Sequence, residues 1–264
     1  MVNKMIKDIN LNLSTSSLDN KAIVFDLDGT LLFGDIGETV FYTLLILDGL
    51  GVTKYHEFDI FENIFNQSKI SIPGNAYLSN IIKKYLWNLK NHKMRDAYCL
   101  TTEYMEKYDP QLIYRLVHKI LKRGLPKTTI KVLVGEDKFI LQFHAVTDPI
   151  LSSLIKSCQV KKARVLIISA SPQSIVEGFC KFMKLPLHVA KGARCIGENV
   201  PIVPYGEEKM RVLSEEGITN PYIVFGNSEG DFDMLDAGYF SFVRKVKNKI
   251  IQNKVANGEW YYID

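Results

Sequence analysis

The sequence predicts a doubly wound α/β parallel sheet with an inserted, mostly helical domain. Three short apolar runs, each rich in branched side chains, stop at small or polar residues. That is the pattern of strands buried on both faces of a parallel sheet. Helix-patterned stretches alternate with the second and third runs, as a doubly wound sheet requires. Between the first run and the second, over more than a hundred residues, this alternation is lost. So long a stretch is no loop, and an inserted domain is expected there.

The first run is Ala22-Ile23-Val24-Phe25, closed by Asp26-Leu27-Asp28-Gly29-Thr30. Residues 1–19 before it are polar and aperiodic, and read as a loose leader. The core is expected over 20–34 and 146–264, and the inserted domain over 35–145. Within the insertion, Leu112, Ile113, Leu116, Val117 and Ile120 recur at helical spacing. Near its end, Thr129 to Val134 and Lys138 to Phe143 flank Gly135-Glu136-Asp137, a hairpin pattern. The second run, Arg164 to Ile168, lies between helical patterns at Ile150–Lys161 and Ser174–Lys184 and ends in Ser169-Ala170-Ser171-Pro172. The third, Tyr222 to Phe225, follows a helical pattern at Glu207–Glu216 that stops at Gly217. It ends in Gly226-Asn227-Ser228. All three polar clusters fall at carboxyl ends of strands, where open α/β sheets bind ligands, so they should converge on one site.

The chain has 264 residues, 47% of them hydrophobic, enough for a sizeable core. Lysine and arginine exceed aspartate and glutamate by only 33 to 29, so no nucleic-acid partner is expected. The densest basic stretch, Arg115, Lys119, Lys122, Arg123 and Lys127, reads as a solvated helix face, as does Arg244 to Lys254. The four cysteines, Cys99, Cys158, Cys180 and Cys195, form no C-x-x-C pair and suggest neither a disulfide framework nor a structural metal. No apolar stretch reaches the length of a membrane span or a signal-peptide core, so no membrane partner is expected and the expected setting is cytoplasmic.

The chemistry lies in the first cluster. Asp26 and Asp28 are separated by Leu27, and Gly29 follows at once and lets the chain curl so that both carboxylates face one pocket. Two carboxylates beside a phosphate dianion repel it unless a cation intervenes, which calls for Mg²⁺. One carboxylate then attacks phosphorus while the other protonates the leaving oxygen and activates water.

Phe25-Asp26-Leu27-Asp28-Gly29-Thr30-Leu31-Leu32 resembles the first motif of the haloacid dehalogenase superfamily of phosphohydrolases. The family's other motifs recur in order in Ile168-Ser169-Ala170-Ser171-Pro172, Tyr205-Gly206-Glu207-Glu208-Lys209 and Gly226-Asn227-Ser228-Glu229-Gly230-Asp231. The Ser-Ala-Ser-Pro form, with a cap between the first two motifs, is most similar to the phosphoserine-phosphatase-like branch. The resemblance implies Asp26 as nucleophile, Asp28 as acid/base, and Ser169, Ala170, Thr30 and Lys209 around the phosphate. It implies Asp26, the Asp28 carbonyl, Asn227 and Asp231 around Mg²⁺. Asn227 departs from the pattern, which has an aspartate there; an amide oxygen still ligates Mg²⁺ but carries no charge.

Asp35 lies nine residues after Asp26, where that branch places an acid on the substrate's amino group, and Glu38 follows one turn later. Equally, the two read as acids favoured at a helix N-terminus. No arginine occurs from residue 31 to residue 94 to meet a substrate carboxylate. Phe33, Phe41, Tyr42, Tyr77, Tyr85 and Trp87 read as core packing or as an aromatic cage for a quaternary ammonium. The expected activity is hydrolysis of a small phosphorylated metabolite, with an amine or quaternary ammonium head group as one option. A protein phosphatase on the same core and a non-catalytic phosphate-binding relative are the alternatives.

Overall fold

The computed structural model describes residues 18, 20–52, 63–196 and 200–263. Two sheets organise it. The first is built on β1 (Ala22–Phe25), with β6 (Arg164–Pro172) on one side and β9 (Ile223–Gly226) on the other. It continues through β7 (Ala190–Ile196) to β8 (Val200–Ile202) at one edge, and through β10 (Phe240–Arg244) to β11 (Tyr261–Ile263) at the other. Only β7 and β8 pair antiparallel; the remaining pairs are parallel. The chain thus runs outward from β1 through β6 and β7, then returns to β9 on the opposite side. That reversal places the crevice of the sheet at the carboxyl end of β1.

Alternate residues of β1 face different cores. Ile23 and Phe25 join one apolar cluster, whereas Ala22 and Val24 join a second with Leu166, Val224 and Trp260. Burial on both faces explains the unbroken apolar runs from which the strands were predicted. β6 continues past the expected end at Ile168, through Ser169-Ala170-Ser171, with a register shift against β7 between Ile168 and Pro172. The polar cluster therefore belongs to an irregular strand end rather than to a loop.

The second sheet has the order β2-β5-β4-β3: β2 is Leu32–Asp35, β3 Lys69–Ile72, β4 Leu125–Val134 and β5 Asp137–Thr147. β4 and β5 form the predicted hairpin, with Val134 opposite Asp137 and Gly135-Glu136 as the turn. Among the helices described beside this sheet are α1 (Ile36–Gly49), α2 (Ala76–Lys90), α3 (Met94–Met105) and α4 (Pro110–Arg123). The stretch is mostly helical as expected, but it also has a sheet of its own, and Leu32, in the first motif, already belongs to it.

α4 shows how the sequence sets a helix and its partner. Asp109 caps it, accepting from the Gln111 N–H at 2.9 Å, with Pro110 in the first turn and Gly124 past the end. Its buried face carries Leu112, Ile113, Leu116, Val117, Ile120 and Leu121. That face packs on α6 (Gln173–Met183), where a Cβ at Gly178 would come within 3.1 Å of the Val117 side chain. Tyr114 donates a hydrogen bond to Glu177 across the same seam. One apolar cluster accordingly runs from Phe25 and Ile167 to Phe41, Val117 and Phe143.

Two crossings join the sheets, and they are tied together. The Asp148 N–H donates to the Leu31 carbonyl at 2.9 Å. Asp148 also caps α5 (Pro149–Val160), accepting from the N–H groups of Ile150 and Leu151. Arg244, at the end of β10, donates to the Thr30 carbonyl at 2.8 Å and pairs with the Asp148 carboxylate. Arg244 was expected on a solvated face, yet only 13% of its side chain is exposed, because its charge is taken up by this hinge.

The leader lies outside the described residues except for Leu18, which is buried in the core and accepts a backbone bond from Lys21. Among the described residues no helix is long and apolar enough to cross a membrane.

Candidate active site

The carboxyl ends of β1, β6 and β9 meet at a cavity of about 360 Å³. After β1 the backbone turns sharply. Gly29 adopts φ +72°, a left-handed conformation that glycine takes without strain, and Asp28 before it is extended. Both Asp26 and Asp28 consequently line the cavity. The Asp26 N–H is pinned to the Phe225 carbonyl of β9 at 2.9 Å, which fixes where its side chain starts.

Lys209 enters from the first turn of α7 (Glu207–Glu215) with its side chain 2% exposed. Its Nζ lies 2.7 Å from Asp26 Oδ1 and 2.5 Å from Asp231 Oδ1. Burial works against the ammonium, but Asp231 and Asp26 outweigh it and hold the pKa above the ordinary lysine value. The Thr30 hydroxyl donates to Asp26 Oδ2 at 3.1 Å. Burial pushes the Asp26 carboxyl up to about 7, with Asp231 adding to the rise and Lys209 opposing it.

Asp28 is held by different groups. Its Oδ1 accepts from the Ile36 N–H at 2.8 Å, and its Oδ2 from the Ser171 hydroxyl at 2.7 Å and the Ser169 hydroxyl at 3.3 Å. Burial raises its pKa to about 7, helped by Asp35 and opposed by Ser171. Two carboxylates two residues apart therefore face one cavity with different partners: an ammonium for Asp26, hydroxyls and an amide for Asp28. Such separation of environments marks a functional site.

Asp231 stands apart from the expected metal ligands. Its Oδ2 accepts from the N–H groups of Asn227 and Ser228, both at 2.9 Å, and from the Ser228 hydroxyl at 3.1 Å. With Oδ1 on Lys209, both oxygens are occupied. It orients the lysine and the loop after β9 instead of joining the oxygens nearest Asp26. Ser169 and Ala170 line the cavity as expected.

Asp35 lines the cavity and also caps α1, accepting from the Glu38 N–H at 2.6 Å. Burial raises its pKa to about 7, with Glu38 contributing next. Glu38 does not line the cavity; its carboxylate turns to the Tyr42 hydroxyl at 2.7 Å and to Tyr85. The proposed aromatic cage is likewise absent, since Phe41, Tyr42 and Tyr85 are buried packing and Phe33, Tyr77 and Trp87 are exposed elsewhere. The cavity's aromatic wall is Tyr98 of α3 and Tyr205, with ring centroids 6.0 Å apart, beside Met94. Sequence reasoning gave none of the three this place, although Tyr205 opens the third motif. Tyr98 offered no signal, because it reaches the cavity only through the docking of α3 on β6 and β7.

The family model for haloacid dehalogenase-like hydrolases matches residues 23–236. The chain belongs to this family. No curated protein matches it in sequence. Among solved structures it is similar to a conserved protein of unknown function from Anaerococcus prevotii DSM 20548, at 17% identity and TM-score 0.61, covering 100% of this chain and 90% of that one. It is also similar to a protein of unknown function from Bordetella pertussis Tohama I, at 11% identity and TM-score 0.58, covering 93% and 99%. A HAD family hydrolase from Salmonella enterica serovar Typhi shares 12% identity at TM-score 0.53, covering 98% and 75%. What this haloacid dehalogenase-like chain shares with them at such identities is the fold.

The family's metal can be tested against the residues present. Among the described residues, no three histidine, cysteine, aspartate or glutamate side chains group to hold a metal. The oxygens that converge are of mixed kinds. The inward atom of the Asn227 amide lies 3.1 Å from the Asp28 carbonyl oxygen and 3.2 Å from Asp26 Oδ2. Neighbouring oxygens of an octahedral Mg²⁺ shell are about 3.0 Å apart, from metal–oxygen distances near 2.1 Å. The amide oxygen thus stands at such a separation from one carboxylate and one carbonyl oxygen, a set of oxygens suited to a hard divalent cation.

Proposed function

We propose that the protein is a Mg²⁺-dependent phosphomonoesterase that works through an aspartyl-phosphate at Asp26. The observation supporting this is the contrast in partners: the Lys209 ammonium at 2.7 Å for Asp26, and the Ile36 N–H and Ser171 hydroxyl for Asp28. An Asp26 oxygen bonds to phosphorus as the ester P–O bond breaks, and the leaving oxygen takes the Asp28 proton. Water then attacks the same phosphorus, gives its proton to Asp28, and frees phosphate and the Asp26 carboxylate. Ser169, the Ala170 N–H, Thr30 and Lys209 hold the phosphoryl oxygens, a charged cradle for in-line transfer. Asp26, the Asp28 carbonyl and Asn227 would hold Mg²⁺, which would supply charge neutralisation when bound.

The substrate we propose is a small phosphorylated metabolite bearing an amine or quaternary ammonium group, with residues 35–145 forming the cap that selects it. Among the described residues that line the cavity Lys209 is the sole cation, and it is already engaged by two carboxylates. Asp35, Tyr98, Tyr205 and Met94 remain to meet the organic part, a surface suited to a cation and poor for a carboxylate. The test is hydrolysis of a phosphometabolite panel with Mg²⁺. Asp26→Asn should fold normally and abolish turnover, since an amide does not attack phosphorus. Turnover of Asp26→Asn at a measurable fraction of the wild-type rate, with contaminating phosphatase excluded, rules out the covalent route.

A further inference from the structure

The amide at position 227 can be seated in two ways, which a carboxylate cannot. Its inward atom lies 3.1 Å from the Asp28 carbonyl oxygen, 3.2 Å from Asp26 Oδ2 and 3.3 Å from Thr30 Oγ1. With the oxygen inward, three acceptors from Asp26, Asp28 and Asn227 crowd one another, and the single proton of the Thr30 hydroxyl, 3.1 Å from Asp26 Oδ2 and 3.3 Å from the amide oxygen, cannot serve them all, an arrangement that a cation relieves. With the nitrogen inward, the amide shares its two N–H donors among those same oxygens, and each contact falls within hydrogen-bond reach. Gly29 makes room for the side chain, because a Cβ there would meet the outward amide atom at 2.1 Å.

We propose that Asn227 is a reversible plug of the metal site. Without a divalent cation its NH₂ turns inward and satisfies Asp26 Oδ2 and the Asp28 carbonyl. When the cation enters, the amide turns over and presents its oxygen. This rests on the metal-dependent reading of the same site and adds a consequence of its own. An aspartate at 227 would bind the cation more tightly, yet would leave the metal-free site with facing oxygens and only the Thr30 hydroxyl to share between Asp26 Oδ2 and residue 227. Asn227 exchanges metal affinity for stability of the empty site.

The experiment is thermal unfolding of the full chain, wild type against Asn227→Asp, in EDTA and in excess Mg²⁺ at one fixed pH, with Mg²⁺ titrated calorimetrically. In EDTA, Asn227→Asp should melt several degrees below wild type. Mg²⁺ should raise its melting point more than that of wild type and bind it on the order of tenfold more tightly, as ligand charge dictates. Equal melting points in EDTA, or a more stable Asn227→Asp, overturn the plug while leaving metal binding standing. No response of either protein to Mg²⁺ overturns the metal and the plug together. Should Asn227→Asp not fold, the wild type alone decides through the NMR signals of the Asn227 NH₂ group, assigned by their absence from Asn227→Ala. Mg²⁺ should release these protons from slow exchange and shift them. Signals unmoved at saturating Mg²⁺ overturn the proposal.

Discussion

Lys209 places its ammonium 2.7 Å from the Asp26 carboxylate, with 2% of the lysine side chain and 9% of the aspartate side chain exposed. A second carboxylate, Asp231, lies on the other side of the same nitrogen. Replacing Lys209 by Met strands two buried acids facing each other, and removing one partner from such a cluster costs about 3–5 kcal/mol. Urea unfolding near neutral pH should show that loss. Adding Asp26→Asn to Lys209→Met should recover part of it by removing one of the two charges. If the double variant is no more stable than Lys209→Met, the carboxylates do not repel each other through the site.

The pH dependence has a definite sign. Asp26, Asp28 and Asp35 are each raised from 3.8 to about 7. An acid whose folded pKa exceeds its unfolded value is bound by protons more tightly when folded. Its contribution is full below about 4 and is lost as pH rises through about 7. In EDTA the urea midpoint should therefore fall between about pH 5 and pH 8, Mg²⁺ should restore much of the loss at the upper end, and Asp35→Asn should make the fall shallower. A midpoint that rises over this range would contradict the buried-carboxylate account.

Asp35 carries two roles that one substitution separates. Asparagine caps a helix about as well as aspartate, so Asp35→Asn should leave α1 formed and, at about pH 5 where the buried acid is still protonated, the melting point near wild type. If the carboxylate meets a cationic head group, KM for amine-bearing phosphates should rise one to two orders of magnitude, or roughly 1.5–3 kcal/mol for a charge-assisted contact. Aryl phosphates should be hydrolysed almost as before. Equal losses on both substrate types would assign Asp35 to the hinge alone.

The central strands were legible because each is buried on both faces and so reads as an unbroken apolar run, Ile23 to Phe25 being the clearest. The curl at Gly29 was legible because only glycine invites it directly after two functional carboxylates. The hairpin around Gly135 was legible from its alternation. Other features were hidden for physical reasons. Leu32–Asp35 is a strand through its pairing with β5, not through its own composition, and contains Gly34 at φ +97°. Arg244 looks like any basic residue of a charged tail, because its partner Asp148 is 96 residues away in sequence. Asp231 follows the metal motif faithfully, yet its oxygens are claimed by Lys209 and the backbone of its own loop. Motif position alone does not reveal such competition.

Gly178 sits on a core helix, yet the residue that requires it to be small is Val117, from the other part of the chain. The two stretches on either side of that contact are therefore not interchangeable modules. A homologous excursion grafted onto this core would have to bring a side chain that tolerates bare backbone at its centre. Any larger residue at 178 would have to be answered by a smaller one at 117. Substitutions at these two positions, 61 residues apart, should be inherited as a pair.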